Sequence, residues 1–231
     1  MTMQLVVSQT WRDTYPGAHV GILTLHDASN QGPSPALDAR KAELEASLRR
    51  RFEGWGRDAI KALPVIAAYA AYYKQFRKTY HVQLQLESVV LKGRSIASPS
   101  PDLPRPLVEA MFLAELDHLL LTAGHDLELV VPPVTLGVAN GTETYVRING
   151  AEQVLARGDM AISDARGILS SIIHGPDQRT MIRPETRNVL FTIYAPIGIE
   201  VSAVEAQLQA LRDCVMLVAP QARLGTLKVY S

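Results

Sequence analysis

Residues 107–148 read LVEAMFLAELDHLLLTAGHDLELVVPPVTLGVANGTETYVRI, and the change of rhythm within them decides the fold class. From Leu107 to Thr122 apolar side chains fall on most sides, interrupted by Glu109, Glu115, Asp117 and His118, which predicts a central, largely buried helix. After Gly124 the pattern turns to short β-rich runs at 127–131 and 134–139, followed by Asn140-Gly141, a hairpin signal. A further run at 144–148 ends at a second turn, Asn149-Gly150.

Upstream of this boundary the chain reads as one strand and then helices. Ala18 to Leu25 is β-rich and follows a Pro16-Gly17 turn. Ser34-Pro35 announces a helix, with serine as cap and proline at the first helical position, and Leu37, Leu44, Leu48 and Phe52 on its apolar face. Pro64 opens another, with Ile66, Ala70, Tyr73 and Arg77 along one stripe, and a third is expected at 83–92. The proline-rich stretch 98–106 reads as a stiff connection. Downstream, strands are expected at 159–163, 168–174, 189–195 and 224–229, with Ser202 and Glu205 as a capping box for one more helix. Helices early and strands late predict an α+β fold, its helices mainly in the N-terminal half and packed on a mixed, largely antiparallel sheet from the C-terminal half.

Composition narrows the function classes. The 231 residues are 47% apolar and 20% charged, so a packed core is affordable and wholesale disorder is not expected. Lys and Arg number 23, as do Asp and Glu, so broad nucleic-acid affinity through phosphate neutralisation has no support beyond a local patch. One cysteine, Cys214, excludes an internal disulfide framework and a cysteine-based zinc cage. The start, Met1-Thr-Met-Gln-Leu, is unlike a signal peptide, and no window reaches the roughly 18 apolar residues a membrane helix needs. A cytoplasmic protein with no membrane partner is therefore expected. Its oligomeric state is not legible.

The motifs of P-loop hydrolysis, dinucleotide binding, zinc peptidases and the serine-hydrolase elbow are absent. No metal-ligand spacing appears among the six histidines, so neither a metal nor a cofactor is expected. Two polar constellations remain. Gly124-His125-Asp126 stands at a helix-to-strand junction, where chains present polar groups. The segment from Asp159 to Asn188 carries Gly175, where a ligand can approach the backbone, with Thr180, Thr186 and Asn188 as neutral partners and Arg179 or Arg183 for a carboxylate or phosphate. Tyr73, Lys74 and Arg77 belong to an aromatic and basic stretch that can be read as a stacking surface for nucleic acid, or as a half-buried helix with a solvated face.

The stretch from about Tyr73 to Gly198 resembles the B3/B4 domain of the phenylalanyl-tRNA synthetase β subunit, as found in free-standing proteins. The resemblance rests on Gly124-His-Asp-Leu127, Asp159 and Asp164, His174-Gly175, and Thr186-Arg-Asn-Val-Leu-Phe191. It implies a single domain over 1–231 with 1–60 as an N-terminal strand–helix extension, a tRNA or aminoacyl-tRNA partner, and metal-free ester hydrolysis of mischarged tRNA in trans. On that reading Asp177 or Asp126 holds the substrate ammonium, His125 or His174 orients water, and Thr186 with the Gly175 backbone receives the oxyanion. Where synthetases of the family have a histidine and a glutamate, this chain has Glu128 and Pro176. A module that binds RNA or a small ligand in the same pocket without catalysis is the alternative.

Overall fold

A computed structural model describes residues 3–97 and 105–231. Most of the proline-rich stretch, residues 98–104, lies outside them. The chain begins with β1 (Leu5–Val7), α1 (Gln9–Thr14) and β2 (His19–His26), then runs through α2 (Pro35–Arg51), α3 (Arg57–Lys61), α4 (Pro64–Lys74), α5 (His81–Val90) and α6 (Pro106–His118). Strands β3 (Thr122–Asp126), β4 (Val134–Val138), β5 (Thr144–Val146), β6 (Glu152–Val154), β7 (Met160–Asp164), β8 (Gly167–Ser171), β9 (Gly175–Pro176) and β10 (Val189–Ala195) follow. Helix α7 (Val201–Val218) and β11 (Arg223–Tyr230) close the order.

The fold is α+β, with its strands divided among sheets. One sheet runs β11-β2-β10-β3, all antiparallel, so β2 from the N-terminal part lies in its interior. A second runs β1-β4-β7-β8-β9, antiparallel apart from the β1–β4 pair. The β5–β6 hairpin stands beside them, turning at Asn149-Gly150 as expected. Helix α7 packs on α6 and β2, while α2 packs on α5, α6 and α7. A helical layer therefore covers one face of the four-stranded sheet. The other face meets the five-stranded sheet, where Ser170 of β8 bonds Tyr194 of β10. One buried apolar cluster extends from Leu5 to Ala222.

Local chemistry explains most elements. Ser34 accepts the Leu37 N–H and Pro35 occupies the first turn of α2, whose Leu37, Leu44 and Leu48 are buried. Four expectations need correction. Helix α6 stops short of Thr122, because Leu119 adopts a left-handed φ of 63°. The reversal is held by buried polar side chains: Glu115 accepts the Thr122 N–H at 2.7 Å, and Gln207 bonds both the N–H and the carbonyl of Leu120. The run at 127–131 contains a 3-10 turn, Leu127–Leu129, since Asp126 caps it through the Glu128 N–H. Asn140-Gly141 does not join β4 to β5. Glu143 gathers the N–H groups of Asn140, Gly141 and Thr142, and β4 pairs with β7 instead. Finally, α7 begins at Val201 with Glu200 at its cap, so Ser202 lies within the helix and makes no cap.

Candidate functional site

A cavity of about 540 Å³ opens between the loop joining α4 to α5, one face of α6, strand β3 and the turn after β8. Arg105, Val108, Met111, Phe112 and Glu115 line it from α6 and its cap, at the i, i+3, i+6, i+7 and i+10 positions that share a helix face. Leu121, Ile172, Ile173 and Ile182 extend the apolar lining, and Lys78, His81, Arg147 and His174 contribute cationic or imidazole groups. Glu115 is 1% exposed. Its Oε2 is taken by Thr122, but Oε1 has no hydrogen-bond donor among the described residues, and the nearest imidazole nitrogen, His81 Nε2, is 3.7 Å away. A buried acidic side chain with an open oxygen in an apolar cavity is a receptor for a cationic hydrogen-bond donor.

The turn at 172–175 forms the facing wall, and side chains pin it from several directions. Asp159 Oδ2 accepts the Ile173 N–H at 3.1 Å while Tyr72 donates to Oδ1 at 2.7 Å. Tyr73 donates to the Ile172 carbonyl, Ser171 accepts the His174 N–H, and Tyr145 donates to the Gly175 carbonyl. Gly175 needs glycine for its φ of +77°, and a Cβ there would meet nothing within 4 Å, so the backbone is open to an approaching group. Burial raises the Asp159 carboxyl to about 6. His174 moves the other way: burial first, then the charges of Arg147 and Lys78, lower its pKa and keep the imidazole neutral at pH 7.

Of the residues singled out from sequence, Tyr73, His174, Gly175 and Pro176 line this cavity, together with Gly124 of the first constellation. The rest lie elsewhere. His125 is fully buried, because the β3 register sets it opposite Leu190 on the face turned to the other sheet. There it joins a chain with a fixed donor order. Thr180 donates to Asp177 and so accepts from His125 Nδ1–H at 2.9 Å; His125 Nε2 then accepts from Ser170 at 3.1 Å, and Ser170 accepts from Tyr194 at 2.7 Å. Burial, aided by the charge of Arg179, lowers His125 to about 3, consistent with this neutral form. Asp177 therefore serves Thr180 and the Arg179 guanidinium, which also grips Asp164 with two nitrogens.

Thr186 and Asp126 form a separate cluster, bonded to each other at 2.7 Å, and Asn188 ties Glu128 to the Asp27 N–H. His125, Asp177 and Thr186 do not converge on one cleft. The stacking surface also fails as read: Tyr69, Tyr72, Tyr73 and Tyr80 are buried with their hydroxyls bonded inward, leaving Lys74 and Arg77 exposed without them. Missed from sequence were Glu115, Arg105, His81, Arg147 and Ser171. Glu115 alone left a usable signal, as a carboxyl inside an otherwise apolar helix. The others sit on segments that meet only in three dimensions.

No family model matches the chain. Over 69 residues it is 29% identical to the phenylalanine–tRNA ligase β subunit of Mycoplasma genitalium, a stretch covering 30% of this chain and 9% of that protein. An N-terminal fragment of the phenylalanyl-tRNA synthetase β subunit from Pyrococcus horikoshii aligns with 97% of this chain and 50% of its own length, at 11% identity and a TM-score of 0.49. The chain thus spans a small part of the first relative and half of the second. No helix among the described residues is long and apolar enough to cross a membrane.

Proposed function

We propose that the cavity receives the aminoacyl end of an aminoacyl-tRNA and that the chain hydrolyses the ester in trans. The observation that carries this reading is the pairing of Glu115, acidic with an open Oε1, with a neutral His174 across an apolar cavity. The short sequence likeness to a phenylalanine–tRNA ligase β subunit supports an aminoacyl-tRNA over other amines. Glu115 takes the ammonium of the aminoacyl group, and the apolar face of α6 takes its side chain. His174 accepts a proton from water as the water oxygen bonds to the ester carbonyl carbon. The bond from that carbon to the ribose oxygen then breaks, and His174 returns the proton to the ribose oxygen. The products are a free amino acid and a tRNA with an intact terminal hydroxyl. Arg147, beside His174, favours the oxyanion that forms on the way.

Binding without hydrolysis is the second reading. It is favoured by Pro176, which follows Gly175 where the resembling synthetase domains have a glutamate; the next acid, Asp177, is committed to Thr180. One experiment separates the two. The protein is incubated with a panel of mischarged tRNAs, and ester loss and retention on the protein are followed for wild type, Glu115→Gln and His174→Gln. Release that needs both side chains supports hydrolysis. Retention that needs Glu115, with no release above buffer, supports binding alone. Neither outcome across the panel sinks both.

A further inference from the structure

We propose that Arg105, with Lys78 and Arg147 on the same cavity, forms an anion subsite for the phosphate of the nucleotide that carries the acyl group. This deepens the proposed function and rests on it. Arg105 Nε is closed off from solvent and has no hydrogen-bond partner among the described residues. Because Nε is sealed, an anion in the cavity would meet the outer nitrogens of the guanidinium, which can form charge-assisted bonds with two phosphate oxygens. Arg105, Lys78 and Arg147 have no ion-pair partner among the described residues, and all three line this cavity. In a chain of zero net charge, these three cations outnumber the one carboxylate of the lining, Glu115, and leave the cavity locally positive.

The end of α6 itself offers no free donor. The Leu107 N–H goes to Asn30, and those of Val108 and Glu109 go to the Arg105 carbonyl. The subsite is therefore made of side chains, with the helix dipole adding to their potential.

Spacing identifies the anion. Arg105 and Glu115 are ten residues apart on one helical face, about 15 Å along the axis before either side chain extends. In a free amino acid the ammonium and carboxylate are bonded to the same carbon, far too close together to satisfy both residues. In a 3′-aminoacyl nucleotide, eight covalent bonds separate the ammonium from the 5′-phosphorus, roughly 10 Å when extended. The reach of the two side chains closes the difference. A ligand with an ammonium at one end and a ribose phosphate at the other fits, and a zwitterionic amino acid does not.

The test uses two non-hydrolysable probes: adenosine bearing an aminoacyl group through a 3′-amide, with and without a 5′-phosphate. Calorimetry on the intact protein should give about tenfold tighter binding for the phosphorylated probe. Arg105→Gln should remove that advantage while leaving the unphosphorylated probe within twofold, and Arg105→Lys should restore part of it. Added salt should shrink the advantage. Equal weakening of both probes in Arg105→Gln makes Arg105 a structural residue and overturns the subsite. So does a phosphate that gives no gain in wild type, although binding of the unphosphorylated probe then leaves the aminoacyl site standing. If neither probe binds wild type, both the subsite and the proposed function fall.

Discussion

His125 and His174 show how far identical side chains diverge with position. His125 is buried and neutral, with its folded pKa lowered to about 3 against 6.5. The unfolded chain binds the extra proton, so the stability this group confers is complete above pH 6.5 and is lost as pH falls toward 3. Replacing it with Asn breaks a buried chain of bonds and should destabilise by about 2–4 kcal/mol at pH 7.5. Urea unfolding should show that penalty shrinking by about 1.4 kcal/mol per unit as pH drops from 6 to 4.5. A penalty independent of pH would mean His125 is not held neutral. For His174 the relevant readout is rate. As a general base it acts when unprotonated, and its lowered pKa places the acid limb of the profile below the ordinary imidazole value. Arg147→Gln removes one of the charges that lower it, so the limb should move to higher pH. An unmoved limb would assign the proton transfer to another group. Neither fate is readable from residue type, because both histidines follow a small or apolar residue near a strand end.

At the scale of elements, the decisive piece is the turn at 172–175. Its shape depends on Asp159, which reaches it from the start of β7 and also receives the Tyr72 hydroxyl from α4. Asp159→Asn presents an amide N–H₂ where an acceptor is needed, so either the Ile173 or the Tyr72 bond is lost. The expected result is about 1–2 kcal/mol lower stability and weaker probe binding, with little change at neutral pH in the far-UV circular dichroism spectrum. The acid behaviour has the opposite sign to that of His125. The folded Asp159 pKa is about 6 against 3.8, so the folded state binds the proton more tightly, and its contribution falls as pH rises between those values. The helices were legible because their signals are local: Ser34 with Pro35, Pro64, and apolar spacing along α2. The termination of α6 was not. It depends on Gln207, which arrives from a helix far along the chain.

For the molecule as a whole, the cavity lies where α6 of the helical layer, β3 of the four-stranded sheet and the turn after β8 of the five-stranded sheet come together. Helix α7 packs on both α6 and β2. Gly21 of β2 allows it: a Cβ there would lie 2.7 Å from Val204 Cγ1 and 3.1 Å from Leu208 Cδ1. Gly21→Ala should therefore push α7 outward and lower stability by about 1–3 kcal/mol. Leu208→Ala in the same protein should recover part of that loss, although it opens a cavity alone. Measured by denaturant unfolding, simple addition of the two losses would show that the helix does not rest on Gly21.

By itself, the sequence determined what local physics controls: an α+β class, the positions of most helices and strands, and a chemistry without the motifs of nucleotide hydrolysis or metal peptidases. It also marked Gly124-His125-Asp126 and the segment from Asp159 to Asn188 as polar groups able to line a site. Only the tertiary structure decided which of those polar groups face a cavity. A strand sends alternate side chains to opposite faces, so one register step separates a core histidine from an exposed one, and nothing local to His125 specifies what covers its face. Burial then assigns the roles. Where two sheets close over Asp177, Thr180 and His125, unpaired polar groups are too unfavourable to survive, and they bond one another. Where α6 leaves space beside the turn, Glu115 keeps an oxygen without a donor among the described residues, and Arg105 lines the same space.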